Sequence, residues 1–206
     1  MQIQQRSYLS DPKQLSNVSG FMAEILARRG VQSEQELDLK LKYLLAPSMK
    51  GLQQAIDLVN AAIDQKFKMV IVGDYDADGA TSTALMILAL REMGANVEYL
   101  VPDRFKYGYG LTPKIADLAF ERFQPDLLIT VDNGISSHTG VKQAQLHGMK
   151  VIITDHHLTT KETPNAEAVV NPNQLGCDFP SKALAGVGVA FYLLANLSSQ
   201  RAKDGK

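Results

Sequence analysis

The stretch MVIVGDYDADGATSTAL, at residues 69–85, joins a short apolar run to three aspartates and then to a helical pattern. The apolar run predicts a buried strand, and the alanine-rich part that begins at Gly79 predicts a helix. Asp74, Asp76 and Asp78 therefore lie where the strand gives way to the helix. Because three like charges this close repel one another, we expect a bound cation, a basic partner or water around them.

The same order of strand and helix repeats along the rest of the chain. Short apolar runs predict strands at 68–74, 97–101, 126–132, 150–155 and 168–171. Helical patterns lie at 79–94, 113–123, 139–148 and 183–197. Continuous apolar strands that alternate with helices indicate an α/β fold, with a parallel sheet and helices on both of its faces.

The amino-terminal part of the chain differs from this pattern. Residues 18–66 carry apolar side chains at helical spacing and lack strand-like runs. We therefore predict a helical lead-in over 1–66 and an α/β domain over 67–206. The polar tail at 198–206 has no evident stop signal, so we expect the domain to be incomplete at its carboxyl end.

Composition limits the possible partners. The chain has 206 residues, and 21 basic against 22 acidic side chains give a formal charge of 21 − 22 = −1. A nucleic-acid partner would then need a local basic groove or a metal ion. The single Cys177 excludes an internal disulfide, the chain opens without a signal-peptide pattern, and the apolar run at 84–90 is too short to span a bilayer. We expect a cytoplasmic protein.

Acidic residues end three of the predicted strands: Asp74, Asp132 and Asp155. The carboxyl ends of parallel strands meet at one edge of a sheet, where folds of this class build their sites. An aspartate can also cap the helix that follows a strand, and capping explains one such residue easily. It does not explain DYDAD, VDNG and TDHH together, so we favour a functional site.

Two adjacent histidines, His156 and His157, follow Asp155. Neighbouring side chains point in different directions, so one can ligate a metal while the other donates a hydrogen bond to a substrate oxygen. Carboxylates with one imidazole suit manganese or magnesium better than zinc, which prefers nitrogen and sulfur. Two such ions can hold both oxygens of a phosphoryl displacement. His138 and His147 lack this acidic company, and we interpret them as structural or surface residues.

Two other kinds of site begin with a motif like DYDADG. A calcium-binding EF-hand loop needs a glutamate at its twelfth position and a helix before it, whereas this chain has Leu85 and a predicted strand. A phosphatase with an aspartyl nucleophile also opens with a strand and D-x-D, but that chemistry does not account for the downstream DHH. We reject the first alternative and do not favour the second.

Two further segments carry groups that bind phosphate. VPDRFKYGYGLT, at 101–112, holds Arg104 and Tyr109, and arginine can clamp phosphate while tyrosine can stack on a base. PSKALAGVGVAF, at 180–191, places Lys182 and several glycines before a predicted helix, whose start can bind an anion. An ordinary solvated loop is an equal alternative for the first segment. For the second, close packing of the glycines between helix and sheet is at least as favoured as anion binding.

The ordered set of motifs resembles the DHH phosphoesterase superfamily, and within it the branch of single-stranded-DNA-specific exonucleases. The segments that carry the resemblance are VIVGDYDADGATSTAL, VPDRFKYGYGL, ITVDNGISS, ITDHH, VVNPN and FPSKALAGVGVAFYL, and the likeness runs from about Met22 to Leu194. Related small-molecule members open with a histidine before the acidic motif, whereas here Asp74 leads it, as in the exonuclease branch. The string DHH alone is a weak signal, but the set in this order is specific.

The resemblance implies a role for each motif residue. The implied ligands of two manganese or magnesium ions are Asp76, Asp78, Asp132 and His156. Within this set Asp132 would bridge the ions. Asp74 and Asp155 would complete or orient the shell, and His157 would contact the scissile phosphate. The implied positions along the path of the DNA strand are Arg104, Tyr109, Ser136 and Lys182.

The implied reaction is metal-dependent hydrolysis of single-stranded DNA from its 5′ end to mononucleotides, in DNA repair and recombination. A single-strand-binding protein or a helicase is the implied partner. The branch carries a further metal-binding aspartate and a second catalytic lobe in later segments, so we expect this chain to be an amino-terminal fragment with weak activity or none. Two alternatives stay open: another phosphodiesterase or phosphatase of the superfamily, acting on oligoribonucleotides or cyclic dinucleotides, and a non-catalytic scaffold.

Overall fold

Five parallel strands form one sheet in the part of the chain that the computed structural model describes, residues 4–38, 40–159 and 162–206. The strands are β1 (Lys68–Gly73), β2 (Asn96–Leu100), β3 (Leu127–Val131), β4 (Lys150–Thr154) and β5 (Ala168–Val170). Their order across the sheet is β2-β1-β3-β4-β5, and every neighbouring pair is parallel. The predicted α/β fold with a parallel sheet is confirmed, and each strand begins within one residue of its predicted start.

The chain divides into two compact units, Met1–Ala46 and Pro47–Lys206. The first unit holds helix α1 (Gly20–Arg28). Its short 3-10 turns are Pro12–Gln14, Glu34–Leu37 and Leu41–Tyr43. The carbonyl of Ala27 accepts the backbone N–H of Leu9 at 3.1 Å, so the end of α1 is tied to the chain that precedes it.

The helices of the second unit accompany the sheet. They are α2 (Leu52–Asp64), α3 (Ala77–Glu92), α4 (Arg104–Tyr107), α5 (Pro113–Phe123), α6 (His138–Leu146) and α7 (Gly186–Lys203). Helix α7 runs beyond the predicted end at residue 197, because Arg201 in its last turn bonds to Asn60 at 2.6 Å and pairs with Asp64 at 3.0 Å, both on α2. No helix in the described ranges is long and apolar enough to cross a membrane.

The two units do not divide at the predicted boundary between residues 66 and 67. Helix α2 belongs with the sheet, because its apolar side chains Ile56, Val59 and Ile63 pack in the same core cluster as Ile71 of β1. The amphipathic pattern of α2 predicts a buried face, but it does not say which neighbour covers that face.

Different helices cover the two faces of the sheet. In β1, Met69 and Ile71 belong to one core cluster and Val70 and Val72 to the other, as the two-residue repeat of a strand requires. The first face packs against α2, α3 and α7, and the second against α5 and α6. Each of these four side chains is at most 1% exposed, and such burial contributes roughly 1.5–3 kcal/mol per side chain.

The order of the strands creates a crevice between β1 and β3. The chain leaves β1 through α3 on one face of the sheet, and it returns to β3 through α5 on the other face. Since β2 and β4 lie on opposite sides of this pair, the chain leaves β1 and β3 in opposite directions. In doubly wound sheets of this order, ligands bind at this switch point, beyond the carboxyl ends of the two strands.

Candidate metal centre

Three acidic segments meet at the carboxyl edge of the sheet. Asp74 follows β1, Asp132 follows β3 and Asp155 follows β4. The register places Gly73 beside Val131, and Val131 beside Thr154, so the residues that follow these strands are also neighbours. The parallel topology therefore gathers residues that are far apart in the sequence at one site.

The segment DYDADG turns from β1 into α3. Asp76 is the N-cap of α3, and its carboxylate accepts the N–H of Gly79 at 3.0 Å. This bond holds the pKa of Asp76 below its ordinary value. A Cβ at position 79 would lie 2.4 Å from the carbonyl oxygen of Asp74, so the turn needs glycine there. Helix capping thus explains Asp76, but it does not place the other two aspartates.

Asp78 holds the start of a different helix, α7. Its two carboxylate oxygens accept the N–H groups of Gly186 and Val187, each at 2.7 Å. The positive end of the α7 dipole therefore faces this carboxylate. The contact joins the acidic segment after β1 to the glycine-rich segment before α7.

The surroundings of Asp132 oppose the ionisation of its carboxyl group. Its side chain is 2% exposed, and its backbone is left-handed with φ of +60°, which is uncommon for a residue other than glycine. Burial, followed by the negative charges of Asp78 and Asp76, raises the pKa of Asp132 to about 7. A cation beside the carboxylate would favour its ionised form.

Asp132 belongs to two sets of groups that can hold a cation. In the first set, Asp74, Asp76 and Asp132 each offer an oxygen within 4.8 Å of the others. In the second set, Asp132, His156 and His157 each offer an atom within the same distance. A carboxylate common to both sets fits the predicted bridge between two ions.

His156 lies against two of the predicted ligands. Its Nε2 is 3.0 Å from Oδ1 of Asp132 and 3.5 Å from Oδ2 of Asp78. The structure thus brings together the four residues that the sequence predicts as ligands: Asp76, Asp78, Asp132 and His156. Their coordination of metal remains a prediction.

Asp155 is enclosed by hydrogen-bond donors. Its carboxylate, 1% exposed, accepts the N–H of Ile135 at 2.8 Å, the N–H of His156 at 2.7 Å and Nδ1–H of His157 at 2.7 Å. Burial opposes ionisation of Asp155, but these bonds outweigh it and its pKa lies below the ordinary value. The bond from His157 in turn raises the pKa of that histidine to about 8. Nε2 of His157 lies 3.2 Å from the Tyr109 hydroxyl, on the open side of the site.

Arg104 lies between two tyrosines beside Asp74. Its guanidinium carbon is 3.6 Å from the ring centre of Tyr75 and 5.5 Å from that of Tyr109, and Nη2 is 3.3 Å from Oδ1 of Asp74. Stacking and pairing together hold the orientation of the guanidinium. The group supplies positive charge at the edge of the acidic cluster, where its other donors can bind a phosphate.

The two remaining predicted substrate contacts have different surroundings. Ser136 is exposed and lines, with Tyr109, a cleft of about 170 Å³. Lys182 directs its ammonium group to the protein, donating to the carbonyls of Pro172 at 2.6 Å and Cys177 at 2.8 Å. These bonds brace the loop before α7, and a phosphate contact by Lys182 stays a prediction.

Two residues that shape the site are not singled out by the sequence analysis. Tyr75 forms the surface on which the guanidinium of Arg104 stacks. Its position inside the acidic motif DYDADG is the feature of the sequence that could have pointed to it. Asn133 directly follows Asp132 in the chain and is 2% exposed. Its amide nitrogen donates to the carbonyls of Val72 at 3.1 Å and Val131 at 2.9 Å, which ties β1 to β3 at the switch point.

The donor set fits a hard divalent cation. It consists of carboxylate oxygens with imidazole nitrogens at one side, a combination that suits manganese or magnesium. The buried Asp132, whose ionisation is opposed by burial and by neighbouring carboxylates, is the residue that a cation would stabilise most directly.

Comparison with known proteins gives matches over the same region. The sequence profile of the DHH family, N-terminal domain, matches residues 68–206. The single-stranded-DNA-specific exonuclease RecJ of Escherichia coli (strain K12) is 50% identical over 178 residues, which cover 85% of this chain and 31% of that protein. RecJ of Thermus thermophilus is 39% identical over 166 residues, covering 81% of this chain and 24% of that protein. The chain therefore spans about a third or less of the length of these relatives.

Two solved structures share the fold. The crystal structure of exonuclease RecJ bound to manganese is 38% identical with a TM-score of 0.69, and the match covers 77% of this chain and 40% of that chain. RecJ of Thermus thermophilus in complex with Mn²⁺ is 33% identical with a TM-score of 0.71, covering 90% of this chain and 26% of that chain. Both agree with the parallel α/β architecture described above.

Proposed function

The chain belongs to the DHH family, and we propose that its acidic cluster binds two manganese or magnesium ions and hydrolyses single-stranded DNA from the 5′ end to mononucleotides. One observation carries this proposal: Asp132 is buried at the switch point, common to a carboxylate set and a histidine set. The names of the relatives support the substrate, and the manganese in the solved relatives supports the ion. Because the chain spans about a third of these relatives, the reaction is proposed for the site that this chain carries.

In this proposal the residues that would hold the ions are Asp76, Asp78, Asp132 and His156, and Asp132 would contribute to both. Bound ions of this kind supply Lewis acidity and lower the pKa of water at the site. Asp74 keeps Arg104 beside the cluster through their contact at 3.3 Å. In this proposal the two histidines have different roles: His156 faces the metal-binding carboxylates, and His157 faces the substrate.

The proposed substrate groups lie on the open side of the cluster. Asp155 orients the ring of His157, whose raised pKa of about 8 keeps Nε2 protonated near neutral pH, so it can donate to a phosphate oxygen. Arg104 would bind a phosphate of the strand, and Tyr109 would stack on a base. Ser136 lies in the cleft next to Tyr109, where it can donate to the strand as well.

We place this reaction in the repair and recombination of DNA in the cytoplasm. A single-strand-binding protein or a helicase would present the strand, since an exonuclease of this specificity needs DNA that is already unpaired. The near-neutral formal charge of −1 agrees with binding that depends on bound cations and a local arginine instead of an overall positive field.

Manganese titration of the 206-residue chain by calorimetry tests the proposed metal site. We expect binding by the wild-type chain, and a loss of affinity of roughly tenfold or more in Asp76→Asn and in His156→Gln, because the first replaces a charged carboxylate by a neutral amide and the second removes the imidazole. The matched control is the pair of Asp117 and His147, which are 2.7 Å apart between α5 and α6. Asp117→Asn should leave manganese affinity unchanged. No binding by wild type, or equal losses in the control, would contradict the proposal.

Arg104→Gln tests the proposed path of the strand. Because hydrogen bonds to charged groups contribute about 1.5–3 kcal/mol, we expect this variant to bind a 5′-phosphorylated oligothymidylate about tenfold more weakly or worse. Fluorescence anisotropy, with calcium in place of manganese, measures the affinity. Arg91→Gln is the control, since Arg91 pairs with exposed Glu98 on β2 at 3.4 Å. Equal affinities for Arg104→Gln and wild type would exclude Arg104 from the strand path.

A further inference from the structure

The backbone of the two histidines is held on both sides by side chains. On one side, the Asp155 carboxylate accepts the N–H groups of His156 at 2.7 Å and His157 at 3.1 Å. On the other side, Nδ2 of Asn171 donates to the carbonyl of His157 at 3.1 Å, and Nδ2 of Asn173 donates to the carbonyl of His156. The backbone N–H and C=O groups of both histidines are therefore fixed by side-chain amides and a carboxylate.

The two asparagines are themselves held in place, one by its position after a strand and the other by a hydrogen bond to the first. Asn171 follows β5 directly and is fully buried. Its Oδ1 accepts the backbone N–H of Asn173 at 2.7 Å, and Pro172 between them restricts the backbone further. Nδ2 of Asn173 also donates to the carbonyl of Lys182 at 3.2 Å, which links the pair to the loop before α7. The donors that reach the histidines are thus held in place from several directions.

The histidine segment needs such support because it has no regular structure of its own. Residues 155–159 belong to no helix or strand, and the N–H of Asp155, which bonds to the carbonyl of Val170 at 3.0 Å, continues the sheet pairing only to the start of the segment. Yet Nε2 of His156 lies 3.0 Å from Asp132, while Nε2 of His157 lies 3.2 Å from Tyr109. The ring centres are 4.8 Å apart and their planes differ by 54°. A change in the backbone conformation of either histidine would move its ring relative to these partners.

We propose that Asn171 and Asn173 are positioning residues that hold the peptide groups of His156 and His157, so that one ring faces the metal-binding carboxylates and the other faces the substrate. This inference rests on the proposed function and deepens it. In this proposal neither asparagine contacts metal or DNA. Their effect is exerted through the histidines, in the way that groups around a metal ligand fix its orientation.

The test is Asn173→Asp in the 206-residue chain. The variant keeps the shape of the side chain, but its carboxylate cannot donate to the His156 carbonyl. We expect the imidazole NMR signals of His156 and His157 to shift in the metal-free chain, while those of His138 and His147 stay in place. We also expect manganese affinity to fall about tenfold, as for other changes around a ligand. The added negative charge alone would strengthen cation binding, so a fall isolates the positioning effect.

Two further variants complete the experiment. Asn196→Asp is the control, because Nδ2 of Asn196 donates to a backbone carbonyl at 2.7 Å within α7, away from the histidines. Asn173→Ala removes the donor without adding charge and should reproduce the shifts if Asn173→Asp fails to fold. Unchanged His156 and His157 signals, or equal shifts in Asn196→Asp, would overturn the inference. Failure of wild type to bind manganese would count against the proposed function, whereas the NMR signals would still decide the role of the asparagines.

Discussion

Asp132→Asn is expected to abolish manganese binding and, at the same time, to stabilise the metal-free chain. Asp132 belongs to both sets of potential ligands, so its loss affects both sides of the site. We expect an affinity loss above the roughly 10–100-fold that changes around a ligand produce. Asparagine tolerates the left-handed backbone at this position, with φ of +60°, so the variant should fold.

The stabilisation follows from the pKa of Asp132. Since its folded-state pKa is raised from 3.8 to about 7, the folded chain keeps a proton that the unfolded chain loses, so the fold is destabilised progressively as the pH rises from about 4 to 7. By the size of the shift, ionisation costs on the order of a few kcal/mol at pH 8. Asparagine carries no charge, so the variant should melt several degrees higher than wild type at pH 8, by about 2–4 °C per kcal/mol, and by a smaller difference at pH 5, where only part of the cost has accumulated.

Calorimetry with manganese and thermal unfolding in EDTA at the two pH values measure both effects. Asp126→Asn is the control, because this exposed aspartate lies at the opposite end of β3 and accepts the N–H of Lys68 at 2.8 Å. It should change neither manganese affinity nor the pH dependence of the melting temperature. A variant of Asp132 that binds manganese like wild type, or that melts lower at pH 8, would contradict this account.

Gly186→Ala, at the start of α7, is expected to weaken manganese binding at the same site. A Cβ at position 186 would lie 2.6 Å from Oδ1 and 2.9 Å from Cβ of Asp132, and real Cβ atoms do not approach that closely. Either Asp132 or the start of α7 must move, and the second movement would break the bonds from Gly186 and Val187 to Asp78. We expect about a 100-fold loss of manganese affinity, since either movement disturbs a predicted ligand, Asp132 or Asp78, and a loss of about 1–3 kcal/mol in stability from overpacking.

Gly188→Ala provides the matched control on the same turn of α7. A Cβ there would meet Cδ1 of Leu184 at 2.5 Å and its Cγ at 2.9 Å, and both atoms belong to a side chain that can change rotamer, not to the backbone. Alanine also favours a helix over glycine by about 1 kcal/mol. Gly188→Ala should therefore bind manganese like wild type and melt at a similar or higher temperature. If the two alanine variants behave alike, the close approach of Gly186 to Asp132 is not what shapes the site.

The local chemistry of the chain predicts much of the fold. β-branched runs and helical spacing locate the strands and helices, because these patterns depend on neighbours a few positions away. Helix α5, at 113–123, matches its prediction at both ends. Helix α7 extends to Lys203 because Arg201 finds Asn60 and Asp64 on α2, and such partners cannot be read from local spacing. For the same reason, the pattern of α2 predicts a helix but not its place in the sheet unit.

By itself, the sequence of this protein determines that its acidic and histidine motifs lie at the ends of parallel strands. The parallel arrangement of those strands is enough to make the motifs neighbours. Only the tertiary structure decides what each side chain does there. In the folded chain, the carboxylate of Asp78 accepts an N–H group at the start of α7, and Asp155 is surrounded by hydrogen-bond donors. The ammonium group of Lys182 donates to backbone carbonyls. These contacts join segments distant in the chain, and their geometry arises only when the sheet, α7 and the loops close around one another.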